Sequence, residues 1–512
     1  GSVKAMSAFT SVRNVSISGS TTAKIDTNGF DITWGGTFTG TTSGTTVHTT
    51  LMKTGAGKLT LNGVGSTLQG GIRADAGILE IAGGTITCSQ WNSAFGVSPA
   101  AELRVTGGNL TTSYLGIGYG GGLVEGLMIV DGGTYTNGLE LLVGFGASGR
   151  FVMKSGSADL NQLSFGDGVD ATRQATIELN GGTTSLNRTN RRGGSGTATI
   201  LMNGGTLRAK SDQTDFLRGT LANTQYLVKA GGAIFDTNNK AITSLLPLQH
   251  DSALGATADG GLTKNGAGTL TLSVANTYTG PTKVNAGTLS LAAASLHDAA
   301  DVEIASGATL NLTSGVTDTV DELIYNGAAQ SPGVYGSLAS TAQYKVPFIT
   351  GTGTLTVTNG PASPYNTWAT AAGYWTVGAP MSGPGDDFDG DGVKNLAEFA
   401  FGGDPTDGGD TGPRYSATTG DHLVLTIAVR VGAAASFAAS GAPLTSSIDG
   451  VNYIIRGSKD LLAFAEPVEK LATVSLGNLP ASAPDGYEYV SFQLQNSVTS
   501  QAKGFLQAVA EQ

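Results

Sequence analysis

The sequence predicts an all-β protein: a parallel β-solenoid, or β-helix, followed by a small C-terminal domain of β-sandwich type. Glycine makes up 78 of the 512 residues, and charged residues only 13%, a composition that favours many tight turns between strands. A short apolar pattern recurs every 23 to 26 residues between positions 79 and 205, a spacing typical of solenoid coils. Ten of the 15 prolines lie beyond residue 360, which indicates a separate C-terminal region.

The recurring pattern is a pair of apolar residues two positions apart, followed by a glycine-containing turn. Its six copies lie at 79–84, 103–108, 128–133, 151–156, 177–182 and 200–205. A seventh copy is expected at Leu227, with Lys229 in place of the second apolar residue. Alternation with a period of two is typical of a strand with one buried face. Because one unit cannot bury its apolar residues alone, we expect parallel stacked coils, whereas a β-sandwich would lack this fixed period.

Four regions are expected along the chain. The solenoid should span 1–358, with N-terminal coils or a cap at 1–80, regular glycine-turn coils at 81–235 and coils of a different repeat at 236–358. A linker is predicted at 359–385, because Gly360, Pro361 and Pro364 interrupt the pattern there. A calcium loop with a short helix is predicted at 386–404. Alternating runs predict a small antiparallel β-domain at 413–512.

Charge and cysteine content exclude several classes of protein. The chain has 28 basic and 39 acidic residues, a net charge of -11, which gives a nucleic-acid partner little electrostatic support. The single cysteine, Cys88, excludes an intramolecular disulfide and cysteine-rich metal sites. No stretch of 18 apolar residues is present, so no transmembrane helix is expected.

Two segments share a second repeat. Residues 53–61 have nearly the same sequence as residues 264–272, and 286–291 continues the pattern. Segment 266–291 resembles the autotransporter-associated β-strand repeat, also called the passenger-associated transport repeat, with Pro281 where glycine is usual. The resemblance implies a secreted, right-handed β-solenoid at the surface of a Gram-negative-type bacterium. Such repeats are associated with secretion and surface display rather than with one reaction.

The segment 387–398 has the pattern of a twelve-residue calcium loop. Its predicted ligands are Asp387, Asp389, Asp391, the backbone carbonyl of Val393, Asn395 directly or through water, and Glu398. Gly392 should make the sharp turn, and a helix should run from Val393 to Phe401. The loop resembles those of dockerins and thrombospondin type 3 repeats. We expect a structural Ca²⁺ clamp joining solenoid and tail, the alternative being an acidic solvated turn.

Residues 413–512 resemble the C-terminal β-modules that follow such calcium loops in large exported proteins of the Verrucomicrobia–Planctomycetes type. Solenoids need capped ends, because an open coil exposes unpaired backbone groups. The module could therefore cap the solenoid.

An enzyme would need a cluster of catalytic side chains on one solenoid face. Coil counting places Asp167, Arg192 and Asp215 in consecutive coils. We interpret them as an ion-pair ladder, because isolated carboxylates on either side of an arginine rarely act without another acid nearby and no histidine joins them. A polysaccharide lyase or hydrolase remains the alternative. No catalytic residue is assigned.

Four aromatic residues, Trp91, Tyr114, Tyr119 and Phe145, are candidates for a shallow strip that stacks on glycans. The structural alternative is packing within turns or the core. We expect a non-enzymatic, extracellular structural or adhesive protein, with itself or surface and matrix glycans as partners. A filament subunit that stacks head to tail is a further alternative, because heterologous contacts do not close.

Overall fold

The computed structural model describes residues 1–18, 22–41, 50–88, 96–119, 124–167, 171–313, 315–361, 363–375, 381–495 and 504–511. The chain forms two compact units. The first consists of Gly1–Gln330, Gly336–Thr341 and Lys345–Thr358, and the second of Ser331–Tyr335, Ala342–Tyr344 and Asn359–Gln512. Among the described residues, no helix has both the length and the hydropathy needed to cross a lipid bilayer.

The first unit is a parallel β-solenoid of about 12 turns, which confirms the predicted fold class. The strands within residues 1–358 are β1 Ser2–Lys4, β2 Phe9–Ser11, β3 Val15–Ser18, β4 Thr22–Asp26, β5 Ile32–Trp34, β6 Phe38–Thr41, β7 Thr50–Thr54, β8 Lys58–Leu61, β9 Ser66–Leu68, β10 Gly71–Ala74, β11 Gly77–Ile81, β12 Thr85–Cys88, β13 Gly96–Val97, β14 Ala101–Val105, β15 Asn109–Ile117, β16 Gly126–Phe145, β17 Gly149–Leu160, β18 Gln162–Asp167, β19 Gln174–Leu179, β20 Thr183–Leu186, β21 Arg188–Arg191, β22 Thr197–Met202, β23 Thr206–Ala209, β24 Gln213–Leu217, β25 Thr224–Val228, β26 Ala233–Asp236, β27 Ala241–Ser244, β28 Leu248–His250, β29 Leu262–Asn265, β30 Thr269–Leu272, β31 Thr282–Val284, β32 Thr288–Leu291, β33 Val302–Ile304, β34 Thr309–Leu312, β35 Thr317–Val320, β36 Leu323–Tyr325, β37 Ala328–Ala329, β38 Gly333–Gly336, β39 Tyr344–Lys345, β40 Ile349–Gly351 and β41 Thr354–Val357. A short 3-10 helix lies at Ser252–Leu254.

From β1 to β36, the strands pair in parallel with strands of neighbouring coils, so equivalent residues form columns. The predicted apolar column holds for all six copies, because the paired and buried residues run through Leu79, Leu103, Met128, Phe151, Ile177 and Ile200. The next residue in the column is Tyr226, not Leu227. Tyr226 and Val228 point inward and are fully buried, so the prediction for the seventh copy was wrong by one position. Lys229 lies outside the column and pairs with Asp251.

The coils change after residue 250. Up to that point a coil contributes strands to three stacks, one of which runs from β2 through β5, β8, β11 and β14 to β28. The other two stacks continue, one through β29, β31 and β33, the other through β30, β32 and β34. The cross-section therefore changes near residue 250, inside the region 236–358 for which a different repeat is predicted.

Beyond residue 358, the described part of the second unit has two antiparallel sheets and three helices. Its strands are β42 Arg414–Thr419, β43 His422–Arg430, β44 Ser440–Gly441, β45 Leu444–Ile448, β46 Val451–Ser458, β47 Val468–Lys470, β48 Tyr487–Leu494 and β49 Phe505–Glu511, and its helices are α1 Pro364–Ala372, α2 Asn395–Phe401 and α3 Ala433–Ser436. The sheet orders are β42-β43-β48-β47-β44 and β45-β46-β49. Apolar residues of both sheets share one core with α1 and α2, as expected for a sandwich-like domain.

The segment predicted as a linker is part of this core. Helix α1 begins at Pro364, and proline suits the first position of a helix. Ser363 caps the helix, because its side chain accepts a hydrogen bond from the backbone amide of Asn366. Tyr365 and Ala369 are buried in the core of the unit. The interpretation of 359–385 as a linker is therefore corrected to a helix-containing segment.

Candidate metal centre

The loop before helix α2 gathers three carboxylates. One oxygen each of Asp387, Asp389 and Asp391 lies within 4.8 Å of the others. Backbone amides shape the loop, since Asp387 accepts from Gly390 at 2.8 Å and from Gly392 at 2.9 Å. Asp391 accepts from Val393 at 2.7 Å. Gly392 has a φ of 93°, a left-handed conformation that favours glycine, so the sharp turn lies where the sequence places it.

Glu398, on helix α2, is close enough to interact with the charges of these three aspartates, although its oxygens are not part of the cluster within 4.8 Å. Its side chain is 0% exposed, and both carboxylate oxygens are buried with no hydrogen-bond partner, as is Oδ2 of Asp389. Burial, then the nearby Asp389, Asp391 and Asp387 charges, raise the pKa of Glu398 to about 8. Without a cation, burial disfavours the charged form of Glu398, and its unpartnered oxygens are ligand atoms of the kind that hard cations bind.

Asn395, the predicted ligand at position 9 of the loop, also has contacts with the protein. Its amide oxygen accepts from the amide of Phe388 at 3.0 Å. Its amide nitrogen donates to the carbonyls of Met381 and Gly383, each at 3.0 Å. Both ends of this buried amide have protein partners, so the side chain closes the loop, and its role as a calcium ligand, directly or through water, stays a prediction.

Helix α2 connects the loop to the core of the second unit. It begins at Asn395, two residues later than predicted, and ends at Gly402 in the left-handed conformation. The hydroxyl of Tyr487 donates to the carbonyl of Phe399 at 2.7 Å. Leu396, Phe399 and Ala400 pack in the core. The position of Glu398 is therefore set by the packing of the whole helix.

Sequence analysis missed the turn that covers the loop. A Cβ atom on Gly408 would lie 3.0 Å from Cβ of Asp391 and 3.8 Å from Cγ of Asp389. The turn is closed by Asp410, whose amide donates to the carbonyl of Asp407 at 2.8 Å. The signal was present as the run 404–410, which is rich in aspartate and glycine.

Three of the four predicted aromatic strip residues come together on the solenoid, and Trp91 lies outside the described residues. The rings of Tyr119 and Phe145 stack at 5.7 Å, and Tyr114 meets Phe145 edge-on at 6.4 Å. The guanidinium of Arg73 lies 5.1 Å from the centre of the Tyr119 ring. Tyr119 therefore already contacts protein groups from other coils, and a sugar would meet the exposed parts of this partly buried cluster.

The charged residues considered for catalysis are paired differently from the predicted ladder. Arg192 pairs with Glu140 at 3.0 Å. Asp215 pairs with Arg188 at 3.3 Å and with Arg218 at 3.0 Å. The side chain of Asp167 lies outside the described residues. Within the described side chains, Arg192 and Asp215 of the predicted ladder therefore have ion pairs with residues outside it, and the part of the ladder through Asp167 stays a prediction.

The solenoid also contains a histidine–aspartate pair. Nδ1 of His250 lies 2.9 Å from Oδ2 of Asp259, and Nε2 lies 3.2 Å from the carbonyl of Gly255. Asp259 also accepts from the amides of Thr279 and Gly280. Because both ring nitrogens of His250 have protein partners, the pair is arranged to hold a turn.

The comparison with known families matches the solenoid in two places. The Passenger-associated-transport-repeat model matches residues 51–81 and 262–291. No curated protein and no solved structure matches this chain. The matched family describes a repeat rather than an enzyme. The chain is thus a β-solenoid protein that carries two segments similar to the passenger-associated transport repeat.

Proposed function

We propose that this chain is a non-enzymatic structural or adhesive protein of the bacterial cell surface or extracellular matrix. The observation that carries the proposal is the presence of two transport repeats within a parallel β-solenoid. A repeat associated with passenger transport supports export, and a solenoid offers a long side surface for contacts. The ion pairs of Glu140 and Asp215 with arginines support a structural role for these acids.

We further propose that the second unit binds a structural Ca²⁺. Calcium takes six to eight oxygen ligands, and Asp387, Asp389, Asp391 and Glu398 supply carboxylates, with the Val393 carbonyl as a backbone ligand. The unpartnered buried oxygens of Glu398 carry this assignment. The ion would offset the repulsion among these acids and hold helix α2 against the core.

The test of the surface role uses the purified chain with and without calcium. Negative-stain electron microscopy reports its assembly, and incubation with a panel of bacterial and matrix polysaccharides reports binding and product release. Isolated rods that bind polysaccharide without releasing product agree with an adhesive role. Release of oligosaccharides contradicts the non-enzymatic proposal, and long uniform filaments replace it with the filament subunit.

A further inference from the structure

Each transport repeat buries one lysine inside the solenoid. Lys53 and Lys264 are both 0% exposed, although lysine is almost never fully buried without a partner. They occupy equivalent places in the two matched segments, two residues before Gly55 and Gly266. A shared buried charge at the same place in both repeats calls for a physical reason.

The ammonium of Lys53 has three oxygen acceptors. It donates to the hydroxyl of Thr27 at 3.0 Å, to the carbonyl of Gly55, and to the carbonyl of Ala76 at 2.8 Å. Strand pairing places Thr27 in the preceding coil and Ala76 in the following one. One side chain therefore ties three successive coils.

The second repeat reproduces these contacts. Lys264 donates to the hydroxyl of Thr237 at 3.2 Å and to the carbonyls of Gly266 at 2.7 Å and Ala286 at 2.8 Å. It also reaches the carbonyl of Asn265 at 3.2 Å. Thr237 lies in the preceding coil and Ala286 in the following one. The two lysines thus have the same partners in the same coil order.

Below its pKa of about 8, each lysine is an ammonium group, and the acceptors around it match that form. The threonine hydroxyls already donate to carbonyls, Thr27 to Thr54 and Thr237 to Asn265, each at 3.1 Å. They can therefore only accept from the lysine, as the carbonyls do. Three acceptors around Lys53 match the three N–H groups of an ammonium, and a neutral amine would leave one of them without a donor.

We propose that this lysine clasp, defined as Lys53 with Thr27, Gly55 and Ala76 and as Lys264 with Thr237, Gly266 and Ala286, locks the register of three coils in each transport repeat. The acidic groups that act on it are Asp26 and Asp31 for Lys53 and Asp236 for Lys264. If the lysines only filled space in the core, an apolar side chain of similar size would increase the stability of the solenoid. The two interpretations therefore predict opposite effects of the same substitution.

The test is hydrogen exchange of the full chain, followed by mass spectrometry, in Lys53→Met. Peptides covering 22–30 and 71–78 should exchange about 10- to 100-fold faster, because buried carbonyls lose a charged donor. Lys58→Met is the matched control, since Lys58 is 35% exposed and pairs with Glu80. Unchanged or slower exchange in Lys53→Met overturns the proposal.

The second transport repeat allows the same experiment to be repeated independently. Lys264→Met should speed exchange at 233–242 and 282–291 and leave 22–30 unchanged, with Lys283→Met as the control. If Lys53→Met does not fold, Thr27→Val removes one acceptor and keeps the lysine. Faster exchange at 22–30 in Thr27→Val supports the clasp, and wild-type exchange there contradicts it.

Discussion

The hydroxyl of Tyr453 donates a hydrogen bond of 2.8 Å to the carbonyl of Ala400. Ala400 lies two residues after Glu398 on helix α2, and Tyr453 is fully buried on strand β46. The contact joins the helix that carries a proposed calcium ligand to the interior of the sheet. Changes at the loop should therefore reach the core of the second unit.

Calcium should raise the thermal unfolding midpoint of the second unit, and EGTA should lower it. Binding to the folded state alone stabilises by about 2.7 kcal/mol at a hundred times the Kd. Calorimetry of the full chain should show this shift in one transition. Glu398→Gln should lose the shift, and Asp421→Asn, at an exposed acid, should keep it. A calcium shift that survives Glu398→Gln would exclude this site.

The variant Asn395→Asp distinguishes two possible roles of Asn395, as a ligand of the metal or as a residue that anchors the loop. An aspartate at a ligand position would keep or strengthen calcium binding. At an anchoring position it cannot donate to the carbonyls of Met381 and Gly383, so we expect a loss of about 2–4 kcal/mol in the free energy of unfolding. Urea unfolding in EGTA measures this loss without the metal. Wild-type stability together with tighter calcium binding would favour Asn395 as a ligand.

Tyr119→Ala tests the aromatic cluster. Removing the ring takes away its contacts with Phe145 and Arg73, at a cost of about 1 kcal/mol beyond lost burial. If the cluster binds glycans, affinity electrophoresis should show weaker retardation by every polysaccharide that retards the wild type. Phe30→Ala removes a ring that is 38% exposed elsewhere on the solenoid and serves as the control. Unchanged retardation in Tyr119→Ala would rule the strip out.

The lysine clasps should make solenoid stability depend on pH. Burial lowers the pKa of Lys53 and of Lys264 to about 8, against about 10.4 in an unfolded chain. Between these values the unfolded state binds more protons, so this contribution to stability rises with pH.

Urea unfolding at intervals across this window should give a steeper rise for wild type than for the double variant Lys53→Met/Lys264→Met. Other groups also make stability depend on pH, so only the difference between the two proteins reports the lysines. Burial raises the pKa of Cys88 to about 12, for example, which lowers stability as the pH rises through this window. If the free energy of unfolding changed with pH in the same way in both proteins, the lowered pKa of the two lysines would be contradicted.

The coil repeat could be predicted because it is local. The column through Leu79, Leu103 and Met128 follows from alternation and a glycine turn at nearly constant spacing. The shift to Tyr226 could not be predicted, since Leu227 fits the same pattern and only pairing with Ile200 decides between them. The pair Arg192–Glu140 joins residues two coils apart, which spacing within one coil does not indicate.

The acidic loop at 387–398 shows the same limit. The spacing of Asp387, Asp389 and Asp391 predicted their convergence, because alternate loop positions point to one place. The role of Asn395 depends on carbonyls at 381 and 383, upstream of the motif. Pro364 indicated a linker, although proline also suits the first turn of a helix.

The partner threonine of each clasp lies outside the matched repeat. Thr27 precedes the segment 51–81, and Thr237 precedes 262–291. The segments matched by the family model are therefore shorter than the structural units that contain all the contacts of the lysine clasp. Transplanting a repeat into another solenoid would require a graft that starts at Thr27 or Thr237, or a recipient coil that already presents a hydroxyl at that site.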